Sequence, residues 1–135
     1  MQDNGFTLSG PSRFYFANGA YDGWEPDMFW QTPLMDKHFA YTVDMSNVGC
    51  HCILSAYFIG MPGKTPGAGD YYCDANFGNG NWCPEYDIME GNKYTIATTL
   101  HTCEGSDGNW GSCDRNGCRV NAFDVDSNMM CPEDR

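Results

Sequence analysis

The chain has 135 residues and is acidic, with 18 Asp and Glu against 7 Lys and Arg and a formal net charge of −11. A surface of that sign repels nucleic-acid backbones and anionic headgroups, which argues against both as partners. An uncharged polysaccharide meets no such repulsion, although an acidic surface also serves solubility alone. No apolar run nears the ~20 residues that span a bilayer, and the length is that of a single domain, expected over residues 1–135.

Eight cysteines lie among loop-forming residues. The tight pairs, Cys50-His51-Cys52 and Cys113-Asp114-Arg115-Asn116-Gly117-Cys118, lack the knuckle spacing of a zinc ribbon. A disulfide framework in a secreted or otherwise oxidising setting is the better reading. Met1-Gln2-Asp3-Asn4-Gly5 shows neither the basic nor the apolar part of a signal peptide. Either a leader has been removed or the chain is a portion of something larger.

Sixteen glycines point to turns rather than long helices. In chain order, strand candidates are Arg13 to Ala17, Phe39 to Met45, Ile53 to Ile59, Tyr86 to Glu90, Tyr94 to Thr99 and Arg119 to Val125. Phe39, Tyr41, Val43 and Met45 alternate with smaller or polar residues, as on a half-buried strand. Ile53 to Ile59 is apolar nearly throughout and suits a strand buried on both faces. Asn18-Gly19, Asp22-Gly23, Asn79-Gly80, Asp107-Gly108 and Asn116-Gly117 punctuate these runs. No window has helical periodicity. The expected fold is all-β, an antiparallel β-sandwich with little helix.

Glu85, Asp87 and Glu90 fall within one of these strands. Two carboxyl groups flanking a sugar bond are the working parts of glycoside hydrolysis, and in the retaining version they stand ~5 Å apart. On a regular strand Glu85 and Asp87 share a face while Glu90 points to the other. A bulge between Asp87 and Glu90 brings all three to one face, and curvature of the strand must then let the side chains converge. Asp87 would hydrogen-bond the nucleophile and separate the two glutamate pKa values. Without its surroundings, the same pattern is far more often that of a solvated acidic strand.

The surroundings carry a resemblance. Phe39-Ala40-Tyr41-Thr42-Val43-Asp44-Met45-Ser46-Asn47-Val48-Gly49-Cys50, followed by Ser55-Ala56-Tyr57-Phe58-Ile59, Tyr72-Cys73-Asp74-Ala75, Cys83-Pro84-Glu85-Tyr86-Asp87-Ile88-Met89-Glu90-Gly91-Asn92, Leu100-His101-Thr102-Cys103 and Cys113-Asp114-Arg115-Asn116-Gly117-Cys118, resembles glycoside hydrolase family 7 in motif and order. That family comprises cellobiohydrolase- and endoglucanase-type cellulases with a concanavalin-like jelly roll. The resemblance implies retaining hydrolysis of β-1,4-glucosidic bonds, with Glu85 as nucleophile, Asp87 as its assistant and Glu90 as general acid/base. It places His101 in the cleft near the leaving-group sugar, where a surface-loop histidine is the competing reading. It implies disulfides between Cys73 and Cys83 and between Cys103 and Cys113, and leaves Cys118 to pair with Cys131. Cys50 and Cys52 stay unplaced. A neutral β-glucan is the expected partner, with no cofactor and no metal.

Some positions depart from the family. Met89 stands where it has Trp, Gly91 where it has Ala, and Asp124 where it has a substrate-contacting arginine. The resemblance covers Phe39 to Phe123 of a longer family domain, so a fragment or shortened relative is expected, with open sheet edges that invite a partner chain. The alternative function is a non-catalytic subunit that binds glucan or serves assembly. Trp24, Trp30, Trp82 and Trp110 are candidate sugar platforms or ordinary packing residues. Trp82, three residues before Glu85, is the best placed of them. His38 and His51 read as structural.

Overall fold

The computed structural model describes residues 5–20 and 22–101, together with the main chain of residues 118–121. The fold is all-β. Four strands, β1 (Leu54–Ile59), β2 (Glu85–Gly91), β3 (Ile96–His101) and β4 (Cys118–Asn121), form one antiparallel sheet in the order β1-β2-β3-β4. The helical content among the described residues is two single turns of 3-10 helix, Pro26–Met28 and Gly78–Gly80. None of the described helices is long and apolar enough to cross a membrane.

β2 and β3 are joined by a tight connection that Asn92 organises. Its main-chain N–H donates to Thr95 O at 3.0 Å, and its side-chain oxygen accepts from the N–H groups of Tyr94 and Thr95 at 2.9 and 3.3 Å. This is the local bonding by which Asn favours turns over continued strand.

The core lies to one side of the sheet. Phe29, Met61, Tyr72 and the disulfide pair Cys73 and Cys83 are buried together, and Tyr15, Trp24, Tyr57, Ile59 and Tyr71 pack on them. Tyr57 and Ile59 come from β1 at the positions opposite Asp87 and Glu85. Opposed residues of an antiparallel pair project to the same face, so the carboxylates border this core. On the other face Phe58, Tyr86 and Leu100 align across β1, β2 and β3. Tyr86 and Leu100 are exposed there, and Phe39 meets the Phe58 ring at 5.1 Å.

Several strand boundaries differ from the sequence expectation. Phe39 to Met45 belongs to no described strand, and Phe39, Tyr41 and Val43 are exposed. Alternation specifies a face but supplies no main-chain partner, and no described strand pairs with this segment. Arg13 to Ala17 is reduced to a single bridge, Ala17 with Phe29, backed by Trp30 N–H to Phe16 O at 3.0 Å. The run from Ile53 is half-buried rather than buried on both faces, because β1 is an outer strand of the described sheet. The third strand begins two residues later than expected, at Ile96, since Asn92 holds Tyr94 and Thr95 in the turn. Of the Arg119 to Val125 candidate, the described strand is Cys118–Asn121.

Candidate active site

β2 carries the carboxylates, and its register shows how they reach one face. Ala56 opposes Met89 but Tyr57 opposes Asp87, so Ile88 is an extra residue relative to β1. On the β3 side Thr99 opposes Asp87 and Ala97 opposes Glu90, which sets two residues of β2 against Thr98 alone. A bulge of this kind shifts the alternation by one residue and brings Glu90 into phase with Glu85 and Asp87. The carbonyl of Asp87, at the edge of the bulge, accepts a hydrogen bond from Thr98 Oγ1 at 2.8 Å.

The centre of the group is dry. Asp87 is 3% exposed and His101, opposite Glu85 at the end of β3, is 8% exposed. His101 Nε2 lies 3.0 Å from Asp87 Oδ2. The Asp87 carboxyl is pushed up to about 7, first by burial and then by the charges of Glu85 and Glu90. His101 opposes the shift, and a hydrogen bond with Glu85 adds to it. Burial and the two neighbouring carboxyl groups disfavour the ionised form of Asp87. In its protonated form Asp87 is a hydrogen-bond donor to Glu85.

Glu85 is held from a second side. Its Oε2 accepts the main-chain N–H of Ala75 at 2.9 Å. Ala75 reaches it because the Cys73–Cys83 disulfide, with Cα atoms 5.5 Å apart, ties the chain before Ala75 to the residues before β2. The main-chain bond from Cys83 N–H to Asp74 O at 3.2 Å runs beside that bridge.

Glu85, Asp87, Glu90 and His101 thus form one group. Trp82 is half-buried in a parallel bridge with Asp74, and no described hydrogen bond or ring contact joins it to the carboxylates. Trp24 stacks on Phe29 at 5.6 Å and meets Tyr15 edge-on at 5.2 Å, the packing role. Trp30 is exposed beside Phe16. Cys50 is disulfide-bonded, while Cys52 is an exposed free thiol. Trp110, Asp124, Cys103, Cys113 and Cys131 lie outside the described residues, as does the side chain of Cys118.

Two further participants are not evident from residue type. Ala75 acts through a main-chain group that every residue but proline has. Tyr57 gains its place from its register opposite Asp87 and connects to Tyr72, whose hydroxyl is raised well above the usual range by burial and by hydrogen bonds with Tyr57 and Asp74. Arg13 caps that unit, 3.8 Å above the Tyr72 ring and ion-paired with Asp70 at 3.7 Å. The Tyr-Cys-Asp-Ala segment ahead of the carboxylate-bearing strand was the one available signal for Tyr72 and Ala75.

No protein-family model matches the chain, and no solved structure does. Among curated proteins it is similar to Exoglucanase GH7B of Limnoria quadripunctata, at 28% identity over 144 aligned residues. The alignment covers 67% of this chain and 32% of that protein. The chain therefore spans about a third of the relative's length.

Proposed function

We propose that the chain is related to glycoside hydrolase family 7 and carries the catalytic strand of a retaining β-1,4-glucanase acting on cellulose or a similar neutral glucan. The observation that carries this reading is the β2 bulge, which puts Glu85, Asp87 and Glu90 in phase on one face beside a buried His101. Similarity to a protein named as an exoglucanase supports it. A solvated acidic strand has no reason to bury its central carboxyl or to accept a loop N–H on the neighbouring one.

In this reading Glu85 attacks the anomeric carbon while Glu90 gives its proton to the departing glycosidic oxygen, leaving a glycosyl ester on Glu85. Glu90, now a carboxylate, takes a proton from water. That water opens the ester and returns Glu85 to its starting state with the anomeric configuration retained. Asp87 keeps its own proton and donates a hydrogen bond to Glu85. This bond orients the carboxylate and limits the repulsion among three acids. The disulfide supports the accompanying proposal that the protein works in an oxidising, extracellular setting.

The test is release of cellobiose from glucan, or of a fluorogenic aglycone from an aryl cellobioside. Turnover is expected in the wild type and not in Glu85→Gln, and equal activity in both would sink the assignment. Calorimetric binding of cellohexaose with no product from the wild type would instead favour a glucan-binding or assembly subunit. Asp124, where the family carries a substrate-contacting arginine, is the sequence feature that points that way.

A further inference from the structure

We propose that the main-chain N–H of Ala75, fixed against β2 by the Cys73–Cys83 bridge, is the group that sets the orientation in which Glu85 meets the sugar. The inference rests on the reading of Glu85 as nucleophile and adds a positioning residue to it.

A glutamate carboxylate turns freely about its last bonds unless both its oxygens are engaged. At Glu85 the engagement comes from two sides. Asp87 on the same strand supplies one hydrogen bond, and Ala75 N–H supplies the other at 2.9 Å to Oε2. Hydrogen bonds to an ionised carboxylate are among the shorter and stronger ones in proteins, and a nucleophile displaced by ~1 Å loses about 10² in rate.

The donor is itself rigidly placed. Ala75 is the second residue of a turn closed by Phe77 N–H to Asp74 O at 3.3 Å. The Asp74 side chain braces that turn by accepting from the N–H groups of Asn76 and Gly78 at 2.8 and 2.7 Å. Asp74 is anchored in turn by its bridge to Trp82 and by the adjoining disulfide, whose Cys73 is fully buried. The bridge between Cys73 and Cys83 therefore does more than close a loop. It delivers an oriented N–H to a reacting side chain.

The turn also provides a test. The second position of a β-turn accepts proline, and the extended Asp74 before it suits the residue preceding a proline. Ala75→Pro keeps the turn but replaces the donor with a ring carbon facing Glu85 Oε2, so it both removes the hydrogen bond and displaces the carboxylate, whereas Ala75→Gly keeps the donor while deleting the side chain. With an aryl cellobioside, Ala75→Pro is expected to lower kcat about 10²-fold with KM unchanged. Ala75→Gly is expected to stay near the wild-type kcat.

A second readout does not depend on turnover. Asp87 is faced by Glu85, Glu90 and His101, with Tyr57 and Thr99 at the opposed positions. Releasing Glu85 weakens the hydrogen bond and charge that raise Asp87. Its carboxyl carbon resonance should then titrate lower in Ala75→Pro and unchanged in Ala75→Gly. Absence of wild-type turnover would defeat the glucanase reading, whereas the titration decides separately whether Ala75 N–H holds the Glu85 carboxylate. Should Ala75→Pro fail to fold, the Ala75 amide resonance of folded Glu85→Gln serves instead. It must move when the charged acceptor is neutralised. An unmoved amide, or equal kcat and equal titration in the two Ala75 variants, overturns the proposal.

Discussion

His101 and Asp87 stand fourteen residues apart in sequence and 3.0 Å apart in space, imidazole Nε2 to carboxyl Oδ2, with both side chains buried. The pair joins the end of β3 to the middle of β2. His101 favours the ionised form of Asp87 while burial and the two glutamates favour the protonated one. His101→Ala removes that support and leaves a buried acid short of a partner. We expect a loss of about 1–3 kcal/mol in urea unfolding at pH 8. The loss should be smaller at pH 5, where Asp87 is neutral in either protein. An equal loss at the two pH values would show that the contact does not depend on the charge of Asp87.

The raised Asp87 carboxyl predicts an unusual direction of pH dependence. An acid whose folded value lies above its unfolded one binds a proton in the folded state that the unfolded state has already released. Folding stability then falls as pH rises from about 4 to about 7, with a limiting slope of about 1.4 kcal/mol per unit, and levels off above. Asp87→Asn, which still offers a donor to Glu85, should remove that slope. Differential scanning calorimetry across this range checks it. A wild-type melting temperature that climbs from pH 4 to 7 with the same shape in Asp87→Asn contradicts the assignment.

The parts of the site that residue type and spacing disclose are those where side-chain chemistry and strand period act together. Glu85, Asp87 and Glu90 cannot share a face on a regular strand, so the bulge at Ile88 was required by the arithmetic of a two-residue repeat. The register confirms a shift there. Ala75 was beyond that method, because its contribution is a main-chain N–H whose aim depends on a turn and a disulfide. Phe39 to Met45 shows the opposite failure. Its alternation is as clear as any in the chain, yet a strand needs a main-chain partner, and none of the described strands pairs with it. Trp24 illustrates a third limit, since an aromatic platform and an aromatic packing partner have the same sequence appearance until Phe29 is seen stacked on it.

Gly91 closes β2 with no room for a side chain. A Cβ built there would run into the carbonyl oxygen of Thr95 and lie 3.1 Å from Ile96 Cα. Both are main-chain atoms of the β2–β3 turn and cannot swing aside as a flexible side chain would. Gly91→Ala must therefore push the turn open, at a cost of about 1–3 kcal/mol by analogy with overpacked cores. The strain falls one residue from Glu90. We expect a lower urea midpoint and, in an active protein, a lower kcat as Glu90 moves with the turn. A variant as stable as the wild type would mean that the turn yields without difficulty.

Asn81 is the polar pin of the loop that leads into β2. It is 5% exposed, and each of its side-chain groups is used twice. Oδ1 accepts from Thr65 N–H at 3.2 Å and Thr65 Oγ1 at 3.1 Å, and Nδ2 donates to Thr65 O at 2.9 Å and Tyr72 O at 3.2 Å. Asn81→Ala leaves the buried Tyr72 carbonyl and the more exposed Thr65 groups without this partner, whereas Asn81→Asp keeps the shape but turns an oxygen toward two carbonyls. Placing a charge and two lone-pair clashes in a buried site is worse than leaving a small gap. We therefore expect Asn81→Asp to be the more damaging, by about 1–3 kcal/mol beyond Asn81→Ala at pH 8. The difference should shrink toward pH 4 as the new acid protonates and regains a donor. Because Asn81 lies two residues before Cys83, the same variant should loosen the strap that carries Ala75. Parallel urea titrations of the two variants at pH 4 and pH 8 decide the matter, and a constant gap between them would assign the effect to volume rather than to hydrogen bonding.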